Sequence, residues 1–331
     1  MISFQQRSDT FFVEELLHYH PSGMGDHRFV KLRKRDLSTP AVERKISETT
    51  GVPLRHIRRA GRKDAAATAT QWFSWPLSLE RREIGDLEAV TVLERTRHEH
   101  GLAVGHARGN RFSLLLDGEP GNLVETCGLS LTRFPNFYGL QRFGRDLPDS
   151  GEIGGRIKRP TRGPSARETI SVLQSLLFNE LLAARWHGTG FQPEEEDWWT
   201  ASNGKRCFRA PLDDALLQRY TDGEIAPTGP MYGYKLSLNR AESSFLQKHG
   251  LSPADFRAWG KAAKGARRPL FVRPEAVCCK VCRDGRLQLD FELPSGAFAT
   301  VLLLAAFLPQ RLAQPMERWP DFTKNTILVE T

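Results

Sequence analysis

The chain has 331 residues, enough for about two domains at roughly 100–200 residues each. Hydrophobic residues make up 40% and charged residues 26%, which fits a soluble globular protein. No apolar run reaches the roughly 20 residues of a membrane span, and Val301–Leu308 has the length of a buried element instead. The first ten residues, with Gln5, Gln6, Arg7 and Asp9, lack the apolar core of a signal peptide, so a cytoplasmic location is expected, with no membrane association.

Five cysteines are too few for a disulfide framework in a chain of this size. Cys278, Cys279 and Cys282 lie in a strand-like run with no second Cys or His pair nearby to complete four ligands. Buried thiols in a strand are therefore expected, and no metal. The charge is unevenly spread: from Arg28 to Lys63 there are 12 Lys/Arg against 3 Asp/Glu, in a chain whose total is +8. Such a concentration is the electrostatic footprint of a polyanion binder, most simply of nucleic acid.

In chain order, Phe11–Leu16 opens as a short strand, and Phe29–Lys34 alternates apolar and basic residues at period two. That alternation puts Lys31, Arg33 and Arg35 on one cationic face. Thr39, as N-cap before Pro40, starts a helix that Gly51 closes. The run Arg58-Arg59-Ala60-Gly61-Arg62-Lys63-Asp64 ends four cations in one carboxylate. Gly61 is expected at positive φ, turning the chain so that Asp64 stands at a strand edge. Neighbouring positive charge is expected to favour the ionised carboxylate, a nucleophile that needs no cofactor.

The alternating segment Thr68–Trp75 follows as a strand, and Val90–Glu94, Leu102–His106 and Arg111–Leu116 read as further strands, with a turn at Arg108-Gly109-Asn110. Leu147–Pro164 reads as a boundary or exposed basic loop. Ser165–Glu168 has the capping-box pattern ahead of a helical stripe of Ile170, Leu173, Leu176, Leu177 and Leu181. Glu194–Trp199 is an acidic turn with an anchored Trp pair, and Leu246–Ala263 reads as another helix. Strand patterning returns from Phe271, through Ala276–Arg283, Leu287–Leu293 and Ala297–Phe307.

Five separated motifs occur in one order: Phe11-x-Val13-x-Glu15, Gly61-x-Lys63-Asp64 with Gln71, Gly109-Asn110-x-Phe112, Pro135-Asn136-Phe137-Tyr138-Gly139-x-Gln141-Arg142-Phe143-Gly144, and Leu293-Pro294-x-Gly296-x-Phe298-Ala299-Thr300. Together they resemble the TruD family of tRNA pseudouridine synthases, from about Phe11 to Phe307. The resemblance implies an α+β fold: a catalytic domain with a mixed, mostly antiparallel sheet (residues 1–148 and 270–331) and an inserted α-rich TRUD domain (149–269) facing it across an RNA cleft. It implies an isomerase that converts uridine at position 13 of tRNA to pseudouridine, with no metal and no organic cofactor.

By match to the family's motifs, Asp64 is the implied catalytic aspartate, attacking either the sugar or the base. Phe112 would stack on the flipped uridine, Asn110 would hydrogen-bond near the base or position Asp64, and Phe11 would line the pocket. Arg142 would be a charge partner for Asp64 or a phosphate, Lys63 would meet the substrate, and Lys31, Arg33, Arg58 and Arg59 would carry the RNA. A monomer bound to tRNA is expected. The chain departs from the family's pattern at Gln5 and Gln6, where a lysine is common, at Ala69, and at Leu304-Ala305, where an Arg-Glu pair is usual. The alternative is a diverged member that binds or remodels RNA without isomerising it.

Overall fold

The computed structural model describes residues 2–118, 132–143, 150–163, 165–201, 206–312, 314–324 and 327–329. They divide into two compact units. The first comprises Met1–Thr132, Pro274–Ala299 and Pro320–Thr331, and the second Arg133–Arg273 and Thr300–Trp319. Residues 133–143, 270–273 and 300–319 thus fall in the second unit, where the motif-based division kept them with the catalytic domain.

The first unit opens with strands β1 (Ile2–Phe4), β2 (Phe11–Leu17), β3 (His27–Arg35), β4 (Arg58–Arg59), β5 (Thr68–Pro76), β6 (Val90–His98) and β7 (Ala107–Gly118). The second unit adds β8 (Phe134–Pro135), β9 (Trp198–Ala201), β10 (Cys207–Phe208), β11 (Ile225–Met231), β12 (Ala266–Pro269) and β13 (Phe271–Val272). Strands β14 (Glu275–Val281), β15 (Leu287–Pro294) and β16 (Ile327–Val329) return to the first. Its sheet runs β14-β15-β7-β2-β5-β3-β6, with β1 on β7, β16 on β1 and β4 on β5. Only β2 and β5 pair in parallel among these ladders, so the sheet is mixed and mostly antiparallel.

Alternation decides which face each strand buries. On β2, Phe11, Val13 and Glu15 point into the core. On β3, Val30, Leu32 and Lys34 share one face, so Lys34 takes an apolar position and is 1% exposed. Lys31, Arg33 and Arg35 lie on the opposite face, as the alternation predicts. Aromatic rings tie the sheet together: Phe112 stacks on Phe291 at 5.3 Å between centroids and meets Phe11 edge-on at 5.8 Å. Helix α1 (Thr39–Thr50) packs Val42 and Ile46 against Val30, Leu32 and Phe73. Ser38, not Thr39, is its N-cap, accepting from the Ala41 N–H, and Gly51 closes it at φ 76°. Thr39 is the first helical residue, which frees its hydroxyl for another partner.

The second unit holds helices α2 (Ser150–Lys158), α3 (Ala166–Gly188), α4 (Asp214–Thr221), α5 (Arg240–Lys248) and the sheet β10-β9-β11-β12. Helix α2 lies within the segment read as a boundary loop, because Ile153 and Ile157 make an i, i+4 pair that buries against Leu173, Leu177 and Trp259. Ser165 makes no capping hydrogen bond, and Leu182, not Leu181, continues the buried stripe of α3. The span read as one helix breaks after Lys248, where Gly250 at φ 65° turns the chain and Pro253–Ala263 continues as a 3-10 helix. Asp197 is buried and bonded to Arg185 at 2.6 and 2.7 Å, so the acidic run is anchored by a charge as well as by its tryptophans.

Three further expectations change. Leu102–His106 forms no strand, and Arg108-Gly109-Asn110 lies inside β7 rather than in a turn. Gly109 is there because a Cβ would come within 2.3 Å of the Leu293 carbonyl oxygen on β15. Ala299–Phe307 is helix α6, apolar on every side and largely buried, a case in which hydropathy cannot separate helix from strand. Cys278 is exposed and Cys279 and Cys282 are partly exposed, because every side chain of β14 keeps some contact with solvent. Among the described residues no group of His, Cys, Asp or Glu could hold a metal ion, and no helix is long and apolar enough to cross a membrane.

Phe291 has no exposed surface and carries the stack on Phe112. Phe291→Ala is expected to cost about 3–5 kcal/mol, read as a lower denaturant midpoint with an unchanged slope.

Candidate active site

Between β4 and β5 the chain crosses Ala60–Ala67 with little secondary structure of its own. Backbone groups in such a segment need partners, and here they find them in side chains from three other places, with a fourth holding the Lys63 side chain. The Gly61 carbonyl accepts from Gln71 Nε2 on β5 at 2.6 Å. The Lys63 N–H donates to Thr39 Oγ1 at the start of α1 at 2.9 Å. The Asp64 carbonyl accepts from Lys34 Nζ on β3 at 2.5 Å. Lys63 Nζ donates to Glu15 Oε1 on β2 at 2.9 Å, and Glu15 Oε2 accepts from the Trp72 N–H at 3.2 Å. Glu15, Lys34, Thr39 and Gln71 are all buried, so these anchors have little freedom to move.

Gly61 is not in the left-handed region. The expected glycine turn is absent, and a Cβ there would meet only Glu15 Oε1 and Lys63 Nζ at 3.7 Å, an ordinary contact. The side-chain anchors, rather than glycine's freedom, set the path to Asp64.

Asp64 keeps its side chain accessible to solvent, yet its carboxyl is surrounded by protein on most sides. Desolvation there raises its pKa above the usual carboxylate value, opposed by the Gln6 amide and by the charges of Lys34 and Lys63. The expected effect of neighbouring cations is present, but desolvation outweighs it. Because water still reaches the group, its desolvation is partial. The Gln6 contact, from Nε2 to Oδ2, is long at 3.5 Å. Burial also lowers Lys34 to about 8, against the pull of Asp64 and Asp36.

The other residues singled out in the sequence are dispersed. Asn110 pairs in register with Glu15 and with Leu293, so its side chain shares their face of the sheet. Its Oδ1 is buried without a hydrogen-bond partner. Phe11 and Phe112 are core rings, 3% and 6% exposed, and Phe112 already has Phe291 stacked on it. Arg142 lies in the second unit, where its guanidinium donates to Ser171 and Ser175. Lys31 is ion-paired with Glu14 and Arg59 with Glu43, whereas Arg33 and Arg58 are exposed. Leu304 is buried within α6. Sequence reasoning missed Lys34, Glu15 and Thr39 as supports of the loop. The available signal was Lys34 itself, a cation on the apolar parity of β3.

The family model described as tRNA pseudouridine synthase D (TruD) matches residues 2–161 and 169–305. The chain belongs to the TruD family. It is 32% identical over 322 residues to the tRNA pseudouridine synthase D of Anaeromyxobacter dehalogenans strain 2CP-1, covering 91% of each chain. It is 33% identical over 319 residues to that of Chromohalobacter salexigens, again with 91% of each covered. A Thermus thermophilus protein of the same name is 33% identical, with 89% of this chain and 85% of that one covered. A crystal structure of a Methanosarcina mazei protein assigned to TruD shares the fold, with a TM-score of 0.68 at 20% identity over 96% of this chain and 95% of that one. The α+β fold with a mixed sheet is therefore that of the TruD family.

The Lys63–Glu15 pair is 8% and 0% exposed at its side chains. Lys63→Met strands the Glu15 carboxylate and is expected to cost about 3–5 kcal/mol in chemical denaturation. Combining it with Glu15→Gln is expected to recover part of that loss, because the uncompensated charge is then gone.

Proposed function

We propose that this chain is an isomerase that converts uridine to pseudouridine in tRNA, at position 13, with Asp64 as the catalytic carboxylate. The observation that carries this reading is the placement of Asp64: an accessible residue on a backbone held by buried Lys34, Thr39 and Gln71. It is also the aspartate of the motif that identified the family.

The reaction breaks the glycosidic C–N bond, turns the uracil, and rejoins it through C5, with the C5 proton lost and N1 gaining one. Nothing is oxidised, so the work is positioning and charge. Asp64 acts as the anion that opens this sequence, and its clamped backbone fixes the approach. Asn110 Oδ1, buried and unpaired, is an acceptor suited to a uracil N–H. Phe11 and Phe112 act as a fixed apolar wall rather than as an open platform, since Phe112 is already stacked on Phe291. Exposed Arg33 and Arg58 carry phosphate contacts, while Lys31 and Arg59 contribute less because carboxylates already hold them. An RNA binder without isomerase activity is the second reading. It is favoured by the Asp64 carboxyl having an amide, Gln6, rather than a cation as its side-chain hydrogen-bond partner.

Unmodified tRNA incubated with the wild type is expected to gain pseudouridine at position 13, mapped by carbodiimide-blocked primer extension. Asp64→Asn is expected to form none, and an Asp64→Asn protein that still isomerises ends the assignment. Wild type that binds tRNA with a steep salt dependence but forms no pseudouridine selects the second reading.

The activity is also expected to be bell-shaped in pH. Asp64 must lose its proton, and its raised pKa places the acid limb above the ordinary 3.8. Lys34 is cationic below about 8 and neutral above it, so the charge beside Asp64 fades as pH rises through that value. Lys34→Met is expected to lower kcat and to remove the alkaline limb, leaving the acid limb alone.

A further inference from the structure

A groove of about 740 Å³ opens on the first unit beside the loop that carries Asp64. His56, Arg58, Gly61 and Arg62 line it together with His27, Ala103 and Val104. The lining mixes cationic and imidazole groups with apolar side chains, and Val104 is 89% exposed on a short loop before Gly105 at φ 96°. The His27 Nδ1 atom is buried without a hydrogen-bond partner. Arg59 also borders the groove, but Glu43 holds its guanidinium, so the phosphate-binding charge falls to the exposed Arg58 and Arg62.

A pocket of this size suits a small-molecule unit, in the range of roughly 300–1,000 Å³. A face that met only the RNA backbone would need cations and no apolar wall. Exposed Ala103 and Val104 in one lining with arginines are matched to one nucleotide, with its base on the apolar side chains and its phosphate on the basic ones. Position supports the same occupant. Gly61 lines the groove, and Asp64 follows it by three residues, a span of at most about 10 Å of extended chain.

We infer that this groove seats a nucleotide flanking the uridine that reaches Asp64. Its phosphate lies on Arg58 and His56, its base lies against Ala103 and Val104, and a polar group at the base edge meets His27 Nδ1. This rests on the reading of the chain as an RNA-modifying enzyme.

The test uses the full chain in an Asp64→Asn background, so that binding is read without turnover, with an unmodified tRNA transcript followed by fluorescence anisotropy. Arg58→Ala and Val104→Glu are each expected to weaken binding about 10-fold, the scale of one phosphate or one stacked base. Arg44→Ala, which removes the same charge from an exposed position on α1 outside the groove, is expected to change it less than about threefold. Replacing a neighbour of the target uridine by an abasic residue is expected to erase the extra penalty of Val104→Glu at one flanking position. Binding by Arg58→Ala and Val104→Glu within twofold of the parent overturns the proposal. So does a Val104→Glu penalty that persists whichever neighbour is abasic, or competition by inorganic phosphate alone as effective as by the transcript. If wild type binds tRNA but makes no pseudouridine, the isomerase reading fails while the comparison of Arg58 with Arg44 still reports on the groove.

Discussion

The Glu15 carboxylate lies on the core-facing side of β2, on the same parity as Phe11 and Val13 in the alternation, with no exposed side-chain surface. A charge in that position is costly unless it is both paired and hydrogen-bonded. It is both: Lys63 Nζ meets one oxygen, and the Trp72 N–H meets the other. The lysine side chain must therefore reach inward, and the backbone at 63 must stay where it can. The loop carrying Asp64 is thereby tied to the sheet through the residue before the aspartate. Thr39, Gln71 and Lys34 complete the hold at the Lys63 N–H and at the Gly61 and Asp64 carbonyls. An irregular segment thus acquires the rigidity of the strands around it, as a positioned carboxylate requires.

The same arrangement sets the electrostatics of the site. Asp64 is pushed up by desolvation and pulled down by Gln6, Lys34 and Lys63, while Lys34 is pushed down by its own burial. Burial moves an acid and a base in opposite senses, and each charge partly relieves the other. The backbone bond from Lys34 to the Asp64 carbonyl adds geometry to that coupling. One ammonium fixes where the aspartate sits and influences whether it is charged.

The basic segment has a different meaning in three dimensions than along the chain. Lys31 and Lys63 pair with Glu14 and Glu15, Arg28 with Glu80, and Lys45 with Glu88, all carboxylates outside the segment. Much of the local excess is neutralised by acids distant in sequence. What remains exposed, notably Arg33 and Arg58, is a smaller and more directed positive surface than the count suggested.

The amino-acid sequence by itself was enough for the family and the mixed sheet, and it singled out Asp64 as the candidate, because ordered motifs and period-two alternation are local properties. It also showed which face of β3 is cationic. The burial of Lys34, the use of Thr39 as a clamp instead of a cap, and the Glu15–Lys63 pair were decided by tertiary structure, since each depends on which strands become neighbours. Helix α6 escaped the pattern because an apolar run reads alike for a buried strand and a buried helix. Gly109 escaped it because the need for glycine comes from a carbonyl on β15, far along the chain, and not from a turn. The balance at Asp64 was only half legible for a related reason: the cations that lower its pKa are written in the sequence, whereas the burial that raises it is assembled only by folding.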